Sequence, residues 1–210
     1  MVRVPQQARS IESTTRMLDA AELLIAEGGP DALTVDAVIL RAGTSTGSFY
    51  ARFGDRVGLL AAVQERFLSR LREAAAAQAD EIAEVPDLRQ ALTIMVEGFL
   101  STFRTNRNAF NAIMVQNRGV PDFRARGSRA TESAAAQLRR LLADRSEQVT
   151  HQDLDTASDF AFRTLFALAT QIVMMDEAEV TGRVLSDRRW VEETTDLLVA
   201  YLTAPRDATE

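Results

Sequence analysis

A chain of 210 residues with 46% hydrophobic content is long enough to bury a substantial core, as one large domain or as a small domain joined to a larger one. The absence of cysteine excludes a disulfide framework, thiolate catalysis and thiolate metal sites. A formal net charge of −6 would argue against nucleic acid if binding followed global charge, but phosphate contact needs only a local positive field.

The first thirty residues lack the cationic start, apolar run and cleavage site of a signal peptide. The most apolar run, LFALATQIVMM, is broken by Gln171 and too short to span a bilayer. The expectation is a soluble cytoplasmic protein with no membrane partner. The single histidine, His151 in VTHQDLD, has no visible catalytic or metal-binding partner and reads as a solvated residue just before a helix. With no paired carboxylates on a cleft and no phosphate or metal spacing motif, the chain is expected to be no enzyme and to hold no metal or cofactor.

Helical periodicity runs almost throughout, without a convincing strand. From Ile11, Leu18, Ala21 and Ile25 share a face with Met17 and Leu24 beside them, and Gly28-Gly29-Pro30 ends this first helix. Thr34 offers a hydroxyl N-cap to VDAVILRA, with Asp36 in the first turn where the helix dipole favours an anion, and this second helix stops at Gly43.

The stretch GTSTGSFYARF, residues 43 to 53, supplies a third helix capped by Ser45 or Thr46. Its first turn carries only Thr46, Gly47 and Ser48, so it can press close to another surface. Phe49 is its natural core residue, Tyr50 can place a phenol at a phosphate, and Arg52 and Arg56 add charge, supported by Arg3 and Arg9 near the chain start. Gly47 costs about 1 kcal/mol against alanine inside a helix. Close approach to DNA gives that cost a use. Helix, tight glycine turn, helix is the helix-turn-helix arrangement, whose second helix reads the major groove from its N-terminal residues.

At these residues, LTVDAVILRAGTSTGSFYARFGDRVGLL resembles the DNA-binding domain of the tetracycline-repressor (TetR) family of bacterial transcription regulators. The resemblance implies that Thr34 and Tyr50 bond phosphates, that Arg56 touches the DNA backbone, and that Thr46, Gly47 and Ser48, flanked by Thr44 and Ser45, meet base edges. The chain departs from the family's pattern at Ile39 and Leu40, where alanine and a polar residue are usual, and at Thr44, which replaces a valine. Thr46 falls where lysine or arginine is frequent.

Beyond Asp55, a plausible N-cap, a fourth helix carries Leu59, Leu60, Val63, Phe67 and Leu71 on one stripe and ends before Pro86. Further helices are expected near 87–105, 107–118, 121–144, 152–178 and 187–203, about nine in all. The fold class is all-α, with a helix-turn-helix domain over 1–55 and a larger ligand-binding and dimerisation domain over 56–210. In the latter, Phe99, Phe103, Phe110, Met114, Phe123, Phe160, Phe162, Phe166 and Met174 are bulky enough to line a cavity, with Asn111, Gln116, Arg163 and Gln171 as polar contacts. The resemblance adds a small, hydrophobic effector.

The helix over 152–178 is apolar around most of its girth, through Leu165, Leu168 and Ile172 among others. The last helix presents Trp190, Leu197, Leu198 and Tyr201. Two such helices from each subunit would form a four-helix homodimer interface. The resulting expectation is a repressor that binds a near-palindromic double-stranded DNA operator as a homodimer and is released by a ligand. The alternative is a ligand-binding helical module that has lost operator binding through the departures at Ile39 and Leu40.

Overall fold

The computed structural model describes residues 6–115, 117 and 119–204, with side chains from residue 10 onward. Arg3, Gln116 and the Arg9 side chain therefore lie outside the described residues. Ten α-helices and no strand occur among them: α1 (Gln6–Gly28), α2 (Val35–Ala42), α3 (Thr46–Phe53), α4 (Arg56–Ala83), α5 (Leu88–Thr105), α6 (Arg107–Phe110), α7 (Pro121–Ala143), α8 (Leu154–Met174), α9 (Glu177–Thr181) and α10 (Asp187–Thr203). The chain divides into two compact units, Met1–Arg70 with Asn108–Gly127, and Leu71–Arg107 with Ser128–Glu210.

In the first unit, local chemistry sets the helix boundaries. The Thr34 hydroxyl accepts the Ala37 amide and caps α2, and Ser45 accepts the Ser48 amide and caps α3. Between them Gly43 stands at φ 57°, a left-handed conformation that side chains with a Cβ resist. Asp55 accepts the Gly58 amide at the start of α4. Met17, Ala21 and Ile25 of α1, Val38 and Ala42 of α2, Phe49 of α3 and Leu59, Leu60 and Val63 of α4 form the buried core. Of the two departures on α2, Leu40 points outward with 84% of its surface exposed and Ile39 is half-buried, beside the buried Val38 and Ala42.

The second unit packs α5 against α8 and α10. Arg104 pairs with Asp187 and Arg89 with Asp196, an order that makes α5 and α10 antiparallel. Leu92, Val96, Leu138, Leu142, Ala161, Leu165 and Leu198 fill the interior. Buried Arg145 donates to the carbonyls of Ile82, Val85 and Leu141, which ties the end of α7 to the end of α4 and the turn that follows it.

Three local expectations are corrected. The helix expected to 178 stops at Met174, where Arg107 takes the carbonyls of Val173 and Met175 and Asp176 caps the separate α9. The helix expected over 107–118 is four residues of α6 followed by a π-turn at 111–115, with Asn117 donating to the Ala112 carbonyl. His151 is buried, not solvated: its Nδ1 accepts the Asp153 amide, and its ring lies 5.5 Å from that of Tyr201.

Candidate functional site

The sequence of α3 distributes its side chains around the helix in a way that separates core from reading face. At about 100° per residue, Phe49 and Phe53 fall on one side. Phe49 is fully buried, and the Phe53 ring lies 5.4 Å from it. Gly47 and Ala51 fall on the opposite side, both exposed. Tyr50 and Ser48 flank this outward stripe on its two edges, Thr46 and Arg52 lie further round towards the Phe49–Phe53 side, and all four are exposed. A Cβ built on Gly47 would meet nothing within 4 Å, so nothing in the protein requires glycine there.

The other expected DNA-contacting residues hold distinct local positions. Tyr50 is half exposed and meets the Phe49 ring edge-on at 5.4 Å. The Thr44 hydroxyl lies 3.3 Å from that of Ser13 on α1, which ties the turn to the first helix. The Ser45 and Ser48 hydroxyls are 2.9 Å apart. Arg52 makes no ion pair among the described residues. Arg56 donates through Nε to the Leu33 carbonyl at 2.8 Å and through Nη2 to that of Pro30 at 3.3 Å. It thereby braces the turn that leads to the Thr34 cap, a role not evident from its place in the motif.

Two further clusters in the same unit are not evident from sequence, because their members lie far apart along the chain. Glu22 of α1 accepts from Arg66 and Arg70 of α4, and Arg66 also reaches Asp19. Burial pushes the Glu22 carboxyl up, but the hydrogen bonds from Arg66 and Arg70 outweigh it and hold the group below the usual carboxylate range. Fully buried Gln64 donates to the Phe123 carbonyl and accepts from Arg126, which also donates to the Ala61 carbonyl. The Arg126 guanidinium lies 5.2 Å from the centre of the Phe123 ring. A buried glutamine amid an apolar stripe is the only hint the sequence offers.

The expected effector-lining residues fall into both units. In the second, Phe99 stacks on Phe103 at 4.9 Å, and contacts of 6.0 Å link Phe99 to Phe162, Phe103 to Phe166 and Phe162 to Phe166. Gln171 is half-buried later on α8. In the first unit, Phe110 meets Phe67 edge-on at 5.1 Å, Phe123 is buried, and half-buried Met114 lies against Gly127. Asn111 is half-buried, whereas Arg163 points outward to Asp159 and Met174 is exposed.

Of the expected interface residues, Leu165, Ile172 and Leu198 are buried within the single chain. Leu168, Trp190 and Tyr201 are half-buried, and Leu197 is 52% exposed. Phe160, 55% exposed, lies 5.3 Å from the Tyr201 ring. The large apolar side chains left exposed are thus Phe160 and Met174 on α8 and Leu197 on α10, with half-buried Tyr201 beside Phe160. Among the described residues, no helix is long and apolar enough to cross a membrane, and no group of three or more acidic, histidine or cysteine side chains could hold a metal.

Residues 17–63 match the family model described as bacterial regulatory proteins, tetR family, and residues 87–202 match that described as tetracyclin repressor-like, C-terminal domain. A search of curated proteins finds no match. Among solved structures, a TetR-family transcriptional regulator from Mesorhizobium loti aligns with a TM-score of 0.74 at 14% identity, over 92% of this chain and 96% of that one. A regulator from Saccharomonospora viridis, solved with choline, gives 0.72 at 20% identity over 90% and 96%. The regulator FadR from Bacillus subtilis, solved with stearoyl-CoA, gives 0.67 at 16% identity over 89% and 98%. At these identities the likeness to solved structures shows the fold.

Proposed function

The chain belongs to the TetR family of bacterial transcription regulators, and from that premise we propose that it is a repressor that binds a near-palindromic operator as a homodimer and is released by a small hydrophobic effector. The observation that carries DNA binding is the outward stripe of α3. Gly47 lies in the first turn of α3, where glycine is less favourable than alanine by up to about 1 kcal/mol, with open space where a side chain could stand. Close approach of the helix backbone to a major groove accounts for that choice. Thr34, Tyr50 and Arg56 are assigned to phosphates and Thr44 to Ser48 to the groove, with Arg52 beside it. Phosphate contacts set register and base-edge contacts set sequence.

The effector reading is supported by the aromatic cluster Phe99, Phe103, Phe162 and Phe166, and by relatives of the same fold solved with stearoyl-CoA and with choline. Dimerisation is assigned to the open face at Phe160, Leu197 and Tyr201. Release would act through α4, a single helix from Arg56 to Ala83 that begins next to α3. Half-sites repeat at about 34 to 36 Å, so a shift of a few ångströms would misalign one reading helix. The alternative, a module that has lost operator binding, is disfavoured because Leu40 points outward and the packing of α2 is intact. A regulator of this kind acts in the cytoplasm.

A mobility-shift assay with DNA from upstream of the protein's own gene tests the reading. A shift that survives excess unrelated duplex supports it. Equal competition by any duplex of the same length contradicts it.

A further inference from the structure

We propose that α3 selects its DNA sequence through the 5-methyl groups of thymine, met by Ala51 and by the methyl group of Thr46, and not through paired hydrogen bonds to guanine or adenine. The inference rests on the DNA-binding reading above, which family membership supports independently, and it specifies what that reading head recognises.

Two-pronged recognition of guanine uses arginine or lysine at O6 and N7, and that of adenine uses asparagine or glutamine at N6 and N7. The first turn and outward stripe of α3, namely Thr46, Gly47, Ser48 and Ala51, contain none of these. Nor do they contain the aspartate or glutamate that would accept from cytosine. Arg52 is the one forked donor on the helix. At about 100° per residue it projects about 100° round from Ala51 and about 140° round from Gly47, away from the outward stripe.

The Ser48 hydroxyl, 2.9 Å from Ser45 and so engaged in the cap, is partly occupied already. The exposed surface offers two methyl-bearing side chains: Ala51 near the centre of the outward stripe, and Thr46 in the first turn, at the end of the helix that enters the groove. On the major-groove edge of the bases, the matching apolar group is the thymine methyl. Gly47, with no side chain of its own, lets these short groups reach it.

The test uses the full chain. Duplexes are enriched from a randomised pool, and each thymine of the enriched duplex is replaced in turn by deoxyuridine, which removes the methyl and keeps every hydrogen-bonding group. Replacement at one or two positions per half-site should weaken binding by about fourfold each, the equivalent of about 0.8 kcal/mol for one buried methyl. Thr46→Ser keeps the hydroxyl and should lose the discrimination between thymine and deoxyuridine at its own position. Ala51→Gly should do the same at the other. Equal binding of thymine and deoxyuridine duplexes at every position overturns the inference. So does a larger loss when 7-deazaguanine, which lacks N7, replaces a guanine. Failure to enrich any duplex overturns the regulator reading itself, whereas enrichment with indifference to deoxyuridine overturns the methyl readout alone.

Discussion

Gly47 sets folding stability against function at a single position. Alanine there meets open space and should stabilise α3 by up to about 1 kcal/mol, yet its methyl would stand between the backbone and DNA in the proposed complex. Gly47→Ala is expected to raise the melting temperature slightly and to weaken operator binding. Unchanged affinity would show that close approach is not required. Arg56 carries two separable roles. Its bonds to the Leu33 and Pro30 carbonyls predict a loss of about 1 to 2 kcal/mol of stability in Arg56→Ala. A phosphate contact by its remaining N–H groups predicts a slope of log affinity against log salt shallower by about 1. Lower stability with an unchanged slope would leave the brace and remove the phosphate contact.

Between elements, the charge cluster that joins α1 to α4 gives the protein a pH-dependent component of stability. Glu22 has a lowered folded-state pKa. Its contribution is therefore present above the unfolded carboxylate value, about 4.3, and is lost as pH falls through the folded value. Its side chain is 23% exposed, so solvent screening keeps the contribution to about 1 kcal/mol. Glu22→Gln should melt a few degrees below the wild type at pH 7, and the gap should close towards pH 3. A gap of constant size would assign the loss to packing. On the α8 and α10 face, the neighbours Leu197 and Leu198 should behave oppositely. Leu198 is 1% exposed within one chain, so Leu198→Arg buries a charge in the protomer and should unfold it. Leu197→Arg should leave the fold intact and shift sedimentation towards monomer. A folded Leu197→Arg dimer would locate the interface elsewhere.

At the scale of the molecule, what is legible in the sequence is what is local. Thr34, Ser45 and Asp55 each cap an amide three residues away, and Gly43 and the Phe49 side of α3 follow from turn chemistry and helical period. The break after Met174 depends on Arg107, 66 residues distant from Val173, and no periodicity signals it. The same holds for buried His151, and for Gln64, whose partner carbonyl at Phe123 lies 59 residues on. Contacts of that span also gather Asn108–Gly127 with the reading head, and they divide the expected effector-lining aromatics between two units. Composition has a whole-molecule consequence as well: with a net charge of −6, and with Arg16, Arg41 and Arg56 among the described residues already engaged within the chain, the proposed reading head is predicted to bind a lone half-site weakly. Two heads on one operator raise the effective concentration of the second contact.

The central claim, a two-headed reader of DNA sequence, is tested most directly by enriching duplexes from a randomised pool with the full-length protein and reading the symmetry of what is retained. A two-fold symmetric motif is predicted, with half-site centres one helical turn, about 10 base pairs, or a whole multiple apart, and with one pair of chains bound to each such site or to each of several overlapping sites. No enrichment, or enrichment of a lone half-site bound by one chain, would contradict it.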